Sequence, residues 1–319
     1  MKTFTTKYQN THTEEFGNII ILSFCLVKAL FLTSSMYNFI LNFFRNSGEF
    51  PARIRRRHQT FWTDPEAEKI RNSKMDESLP LEQWMDGPYW QRKLSNKYNA
   101  REFAKLNGCR VPDLYWKGSE VDGIDFTSLP DQYVIRPTVG KCSKGVYVMD
   151  NGLNLFDQKS YTPEAIKHNL KQDLKNQPDL EFLFEEFVRT EDGKYVVPND
   201  FKFLCFNGEV AAIVVIDRVS PRVGYSHFYD EDWNKLKKLH YLYPGKEEPE
   251  QPECFQEMLE QAKHLSKAYG IFVRIDFFAT DKGPVFGEFT PTPAMGKNFT
   301  PEGKKLLLEY WDKYCKGLI

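Results

Sequence analysis

The sequence predicts an α+β fold that is divided into about two domains or lobes. Its 319 residues exceed the usual size of one domain, which is roughly 150 residues. Short apolar runs flank turn residues such as Asn207-Gly208, a pattern that is typical of β-hairpins. An amphipathic run before Gly270 has helical spacing. Because hydrophobic residues make up 41% of the chain, disorder over most of its length is excluded.

The composition also excludes several classes of protein. The formal net charge of -1 provides no overall basic surface, so nucleic acid is not predicted as a partner. The six cysteines include no Cys-x-x-Cys pair and the six histidines have no zinc-protease spacing, which argues against a disulfide framework and against a zinc site. Any phosphate or metal site must therefore be built locally.

Residues 17–44 form the main apolar segment, in which Lys28 is the only formal charge. The segment is long enough to cross a bilayer, which needs about 20 helical residues. We expect an N-terminal hydrophobic helix, and three alternatives stay open: a membrane anchor, an interfacial or buried helix, and a cleaved signal. If the segment spans a membrane, the arginines at positions 45, 53, 55, 56 and 57 favour a cytoplasmic location for the rest of the chain.

Residues 48–96 are polar and interrupted by prolines, which predicts a basic linker followed by accessory helices. The first clear helix is expected at 97–107, because Ala100, Phe103 and Ala104 have helical spacing and Gly108 supplies a C-terminal stop. Residues 111–116 are predicted to form an edge strand, since Pro112 lies near its start.

Residues 133–148 are expected to form a strand, a glycine-containing turn and a second strand. The turn has two glycines and Ser143. The three cations in and beside the turn, which are named below, are suited to binding a polyphosphate. A Walker A loop is excluded by the residue types at two required positions. The alternative is an exposed hairpin with solvated lysines. The cations are Arg136, Lys141 and Lys144.

A hairpin around Asn207-Gly208 is predicted to pair Phe206 with Glu209 and Lys202 with Ile213. Asp200 and Lys202 then share one face of the sheet. The alternative is a solvent-facing ion pair on an edge strand.

The last predicted hairpin follows the helix that ends at Gly270. If it is centred on Lys282, Asp276 lies opposite Glu288, while Arg274 and Thr290 face each other on the same side. Two facing carboxylates repel each other unless a cation lies between them, and their oxygen ligands suit Mg²⁺. The alternative is a register shifted by one residue, which leaves these charges solvated.

The order and spacing of these pieces resemble the ATP-grasp superfamily, and in particular its teichuronopeptide-biosynthesis (TupA-like) family. The resemblance extends from about residue 94 to 301. It is carried by Lys97-Tyr98-x-x-Arg101-Glu102, Leu129-Pro130-Asp131-Gln132-Tyr133-Val134-Ile135-Arg136, Glu185-Glu186-Phe187-Val188, Asp200-Phe201-Lys202-Phe203-x-Cys205-Phe206-Asn207-Gly208, Arg274-x-Asp276 and Gly287-Glu288-Phe289-Thr290-Pro291-Thr292-Pro293.

The resemblance implies an ATP-grasp fold in which two α+β lobes hold Mg-ATP between them. Residues 1–60 are then the N-terminal tail, the hydrophobic helix and the basic linker, and residues 61–96 are the accessory helices. The small, lid-forming lobe comprises residues 97–187, and the large lobe with the metal site comprises residues 188–319. Since residues 1–60 contribute none of the matched positions, we expect the nucleotide site to form without them.

The resemblance also assigns roles to individual residues. Arg274 and Lys202 are the implied catalytic cations near the transferred phosphate, and Asp276 and Glu288 are the implied Mg²⁺ ligands. Arg136 replaces the strand lysine of the family, and Thr290 stands where most ATP-grasp ligases have asparagine. The implied ATP-binding residues are Arg136, Lys141, Ser143, Gly145, Glu185, Glu186, Val188, Asp200 and Lys202.

The implied reaction is the ATP-dependent ligation of a carboxylate and an amine through an acyl phosphate, with ATP and Mg²⁺ as cofactors. The implied substrates are small molecules or glycans of surface-polysaccharide or peptidyl-glycan assembly, acted on at the cytoplasmic side of a membrane. Two alternatives stay open: an ATP-binding pseudoenzyme that serves as a membrane scaffold, and a metal-dependent glycan-modifying transferase.

Overall fold

Two antiparallel sheets form the framework that positions the predicted site residues. The computed structural model describes Met36 and residues 45–76, 78–140, 144–220, 223–245 and 247–317. Its helices are α1 (Glu49–Trp62), α2 (Ala67–Asn72), α3 (Leu81–Trp84), α4 (Trp90–Lys93), α5 (Lys97–Leu106), α6 (Pro163–Asn176), α7 (Phe255–Tyr269) and α8 (Pro301–Tyr314).

The first sheet has six strands in the order β1-β6-β2-β3-β4-β5. The edge strand predicted at 111–116 is found slightly later, at β1, and the predicted strand–turn–strand unit is the antiparallel pair of β2 and β3. The strands are β1 (Leu114–Gly118), β2 (Gln132–Pro137), β3 (Tyr147–Asp150), β4 (Leu153–Asn154), β5 (Lys159–Ser160) and β6 (Phe182–Glu186).

The second sheet has five strands in the order β11-β10-β7-β8-β9. Helix α7 packs on one face of this sheet and ends at Gly270, whose φ of 81° is the left-handed stop that the sequence predicts. The strands are β7 (Asp200–Phe206), β8 (Glu209–Ser220), β9 (Val223–Tyr229), β10 (Phe272–Thr280) and β11 (Gly283–Thr290).

Two bulges set the register of the second sheet. In the first hairpin Phe206 pairs with Glu209 as predicted, but the extra residue Ala211 shifts Lys202 to Val214. The predicted Lys202–Ile213 pair is therefore wrong by one residue. In the second hairpin the turn is Asp281-Lys282, so the centre lies half a residue before the predicted one.

Helix α5 packs with the core of the second sheet, where Phe103 contacts Phe289 edge-to-face with ring centroids 5.9 Å apart. The part of the chain from Glu49 onward forms one compact unit. The division into lobes at residue 187 stays a prediction.

Residues 49–60, predicted as part of a basic linker, instead belong to helix α1, and the expectation that the nucleotide site forms without residues 1–60 stays a prediction. Helix α1 places Phe50 (1% exposed) and Ile54 (0% exposed) in a hydrophobic cluster with Phe272 and Trp311. Deleting this helix would expose the cluster, so it is part of the core and is not a linker.

The predicted hydrophobic helix at 17–44 lies, apart from Met36, outside the described residues. In the described part of the chain, no helix is long and apolar enough to cross a bilayer.

We expect Ile54→Ala to lower the free energy of unfolding by about 2–5 kcal/mol, because it leaves a cavity in a closed cluster. Gln59→Ala, at an exposed position of the same helix, should change it by less than about 0.5 kcal/mol. Urea unfolding followed by circular dichroism measures both values. Equal stability of the two variants would contradict the assignment of α1 to the core.

Candidate active site

The pairing of three strands brings the predicted acidic and basic residues onto one face. Asp276 lies opposite Glu288 on β11 and opposite Lys202 on β7, and Arg274 lies opposite Thr290. The register predicted for the last hairpin is thus found at these positions, although the turn is displaced. The extra residue Gly287, which forms a bulge in β11, compensates for the displacement.

A side chain at position 287 would be tightly packed against the neighbouring strand. A Cβ atom built there would lie 3.1 Å from the carbonyl oxygen of Asp276 and 3.3 Å from the ring of Phe278. Because glycine has no side chain, the two strands can approach each other closely at the bulge.

Arg274 lies between the two carboxylates. Its Nε donates to Oδ1 of Asp276 at 2.6 Å, and its Nη2 donates to Oδ2 of Asp276 at 2.7 Å and to Oε1 of Glu288 at 2.8 Å. Burial lowers the pKa of Arg274, but the charges of Asp276 and Glu288 outweigh this effect and raise it. The guanidinium thus remains charged and holds both acids.

Lys202 extends this network to Asp200. Its Nζ lies 2.6 Å from Oδ2 of Asp276 and 3.5 Å from Oδ2 of Asp200, which also pairs with Arg218. Asp200 and Lys202 share one face as predicted, but they are largely buried, so the alternative of a solvent-facing pair is wrong.

The cation that lies between Asp276 and Glu288 in the described structure is the guanidinium of Arg274. Asp276 is 3% exposed and both of its oxygens accept from cations. In the described residues no group of three or more His, Cys, Asp and Glu side chains could hold a metal ion. The assignment of Mg²⁺ to these two carboxylates stays a prediction.

Arg136 connects the first sheet to the second. Its Nε and Nη2 lie 2.5 and 3.2 Å from the Glu185 carboxylate, and its Nη1 donates to the carbonyl oxygen of Gly287 at 3.2 Å. Glu185 also faces Arg101, whose Nε is 3.3 Å away. The Glu185 carboxylate is therefore bound by two arginines, and Arg136 reaches the bulge beside Glu288.

The other predicted ATP-binding residues lie on the first sheet or directly after it. Glu186 pairs with Lys282 at 2.5 Å, and Val188 is 7% exposed. Gly145 has a φ of 73°, which favours glycine at this turn. Lys141 and Ser143 lie outside the described residues.

Lys97 was not predicted as a site residue. Burial lowers its pKa, nearby Glu288 raises it, and nearby Arg136 lowers it further. Lys97 is the first residue of α5, where a positive charge is opposed by the helix dipole. A lysine at such a position is the signal in the sequence that could have identified it.

Four nearby cations affect the pKa of Glu288, although only Arg274 forms an ion pair with it among the described residues. Burial raises its pKa, but Arg274, Lys97, Lys202 and Arg136 together hold the pKa below its usual value. These cations come from α5 and from strands of both sheets.

His240 lies beside the loop that follows β11. Its Nδ1 accepts from the backbone N–H of Leu242 at 3.0 Å, so its Nε2 carries the proton and donates to the carbonyl oxygen of Lys297 at 3.1 Å. Burial lowers the pKa of His240 to about 4; the bond to Lys297 opposes this shift, and the charges of Arg274 and Lys238 add to it. The neutral ring is thus the form that the fold favours.

A family model described as TupA-like ATPgrasp matches residues 78–310 of the chain. No curated protein matches it.

Several solved structures are similar to parts of the chain. D-alanine–D-alanine ligase from Bacillus anthracis complexed with ATP is 17% identical over 69% of this chain and 65% of that chain, with a TM-score of 0.42. ATP-grasp ligase PsnB complexed with minimal precursor is 11% identical over 69% and 61%, with a TM-score of 0.40. D-cycloserine synthetase DcsG is 14% identical over 69% of each chain, with a TM-score of 0.39. The chain spans less than two thirds of the length of the first two structures.

We expect Asp276→Asn to lower the free energy of unfolding by about 3 kcal/mol, because it removes a buried charge that two cations face. Glu288→Gln should cost less than about 1 kcal/mol, since its side chain is 39% exposed and has one ion pair. Urea unfolding of both variants tests this difference. An Asp276→Asn protein as stable as Glu288→Gln would show that the network is not tightly coupled.

A second prediction concerns pH. Because the folded-state pKa of His240 is lower than the unfolded-state value, its contribution to stability is complete above about pH 6.5 and is lost as the pH falls towards 4. Between pH 7 and pH 5, the wild type should lose about 1–2 kcal/mol more than His240→Gln does. The exposed His264 provides the control, and His264→Gln should follow the wild type. Parallel pH profiles for all three proteins would refute this assignment.

Proposed function

Because the chain belongs to the TupA-like ATP-grasp family, we propose that it is an ATP-dependent ligase that joins a carboxylate to an amine through an acyl phosphate. The observation that carries the proposal is the network in which Arg274 and Lys202 bind the buried Asp276, Arg274 also binds Glu288, and Arg136 and Lys97 lie nearby. Such a cluster of fixed charges suits a triphosphate, whose binding and transfer depend on positioning and charge neutralisation.

The cations come from three different parts of the chain. Lys97 begins α5, Arg136 lies on the first sheet, and Lys202 and Arg274 lie on the second. A triphosphate bound among them would contact both sheets, as expected for a nucleotide held between two lobes. The lobes proposed are residues 97–187 and 188–319.

Asp276 and Glu288 are the residues proposed to hold Mg²⁺. Their oxygen donors suit this ion, and ATP phosphates would supply further ligands. Both described contacts of Glu288, from Arg274 and Thr290, are made to Oε1, which leaves Oε2 without a hydrogen bond in the described structure. When bound, the ion would neutralise phosphate charge. Its binding requires Arg274 to release part of its hold on the two acids.

The proposed reaction has two steps. An oxygen of the substrate carboxylate attacks the γ-phosphorus of ATP, and the bond to ADP breaks. The substrate amine then attacks the acyl carbon, and inorganic phosphate leaves. Arg274 and Lys202 stabilise the negative charge on the transferred phosphoryl group, and Arg136 orients the phosphates by bidentate hydrogen bonding. Glu185 holds Arg136 in place for this role.

The biological setting is proposed from the family resemblance. We propose small-molecule or glycan substrates of cell-surface polysaccharide or peptidyl-glycan assembly. We also propose that residues 17–44 associate with a membrane, with the ATP site on its cytoplasmic side, since ATP is available there. The four arginines at positions 53 and 55–57 are consistent with this orientation.

A second candidate function is an ATP-binding pseudoenzyme. It is favoured by the ion pair of Arg136 with Glu185 and by the position of Arg274 between the two acids. If these bonds persist when ATP binds, the protein holds the nucleotide, but the two arginines do not take part in phosphoryl transfer. In the described residues, no observation favours the glycan-modifying transferase.

The test is phosphate release from Mg-ATP in the presence of N-acetylated amino acids and hexuronic acids as carboxylates, with amino acid amides as amines. We expect release that requires both substrate types. Glu288→Gln, which should remain folded, is expected to lower phosphate release at least 100-fold, because the substitution weakens metal binding and the positioning of the phosphates. The control Glu260→Gln, on the exposed face of α7, should match the wild type.

Calorimetric titration with Mg-ATP and with a Mg-sugar nucleotide separates the alternatives. Binding of Mg-ATP without phosphate release in the presence of any substrate pool would favour the pseudoenzyme. Binding of the sugar nucleotide alone would favour the transferase. Full activity of Glu288→Gln would overturn the metal assignment.

A further inference from the structure

The loop that follows β11 has a strained backbone. Ala294, Met295 and Asn298 have φ values of 48°, 53° and 63°, in the left-handed region that residues with a Cβ atom seldom adopt. Such a backbone conformation is unfavourable for a residue with a Cβ atom. The loop keeps this conformation only because its surroundings hold it.

Helix α1 supplies one of the surfaces that hold the loop. A Cβ atom at Gly296 would lie 2.8 Å from Cα of Pro51 and 3.2 Å from Cβ of Ile54, so helix and loop are in direct contact. The helix precedes the region that the family model matches, which begins at residue 78. The contact is thus made by a part of this chain that the family match does not include.

Arg57 is the polar residue in this contact. It is 5% exposed, and its Nη1 donates to the carbonyl oxygens of Phe272 and, at 3.2 Å, of Pro291. In the described part of the chain no carboxylate pairs with its guanidinium. Burying a charge of this kind costs free energy, and an apolar residue of similar size would often leave the protein equally stable. An apolar residue could not bind the two carbonyl groups.

The two carbonyl groups mark the open end of the hairpin that carries the proposed site. Phe272 begins β10, two residues before Arg274, and Pro291 directly follows Thr290 of β11. The hydroxyl of Thr290 lies 3.3 Å from Oε1 of Glu288. One guanidinium therefore ties together the ends of both strands on which Arg274, Asp276 and Glu288 lie.

We propose that Arg57 is a positioning residue, which clasps the open end of the β10–β11 hairpin and thereby fixes the proposed site residues and the strained loop 291–298. The proposal rests on the proposed function for its effect on turnover. Its structural part is independent of that function.

The test compares Arg57→Gln and Arg57→Lys with the control Arg53→Gln. Arg53 lies on the same helix, but it pairs with Glu49 and Asp312. In hydrogen–deuterium exchange of the full chain, we expect amides of residues 291–298 to exchange at least tenfold faster in Arg57→Gln and at the wild-type rate in Arg53→Gln. In the phosphate-release assay, kcat per folded molecule should fall at least tenfold in Arg57→Gln, while KM for ATP changes less than threefold.

Wild-type exchange of residues 291–298 in Arg57→Gln would overturn the proposal, as would a kcat that falls only in proportion to the folded fraction. If Arg57→Gln does not fold, Arg57→Lys, which keeps the charge but lacks the planar guanidinium that reaches both carbonyl groups, decides in the same way. If the wild type releases no phosphate, the proposed function fails, and the exchange rates alone still confirm or overturn the clasp.

Discussion

A buried carboxylate is costly unless charged or polar partners are fixed beside it, and Asp276 imposes this requirement on the second sheet. Its oxygens receive hydrogen bonds from Arg274 on its own strand and from Lys202 on the neighbouring strand. These contacts require the two strands β7 and β10 to keep their register, because a slip of one residue would turn the side chains to the opposite face. Asp200, Glu288 and the cations around them then form one connected network on the same face of the sheet.

Much of this arrangement could be predicted from the sequence, because hairpins with short turns have few registers. Asp276 was expected opposite Glu288 and is found there. The bulge at Ala211 could not be predicted, because residues 210–213 are all buried and small or apolar, so an extra residue there causes no visible break in an alternating pattern. Ala211 therefore displaces Lys202 from its expected partner, while Gly287 restores the partner of Asp276.

Helix α1 shows why other parts of the core were missed. Its buried residues Phe50, Ile54, Arg57 and Phe61 have helical spacing, but an arginine occupies one of the four positions. Its other arginines make the segment look like a solvated linker. A charged residue at a core position thus conceals an amphipathic pattern, and a sequence alone does not reveal that backbone carbonyl groups will receive the charge.

The bulge at Gly287 also separates the β10–β11 hairpin into two halves. Its carbonyl oxygen accepts a hydrogen bond from Arg136, so this point of the strand is anchored to the other sheet. Beyond it, towards Asp281-Lys282, the hairpin carries none of the residues assigned to catalysis or metal binding. The loss of one residue at the bulge would turn Glu288 to the opposite face of the sheet. At the tip, the pair of Lys282 with Glu186 forms a second link to the first sheet, so the hairpin is held at the bulge and at the turn.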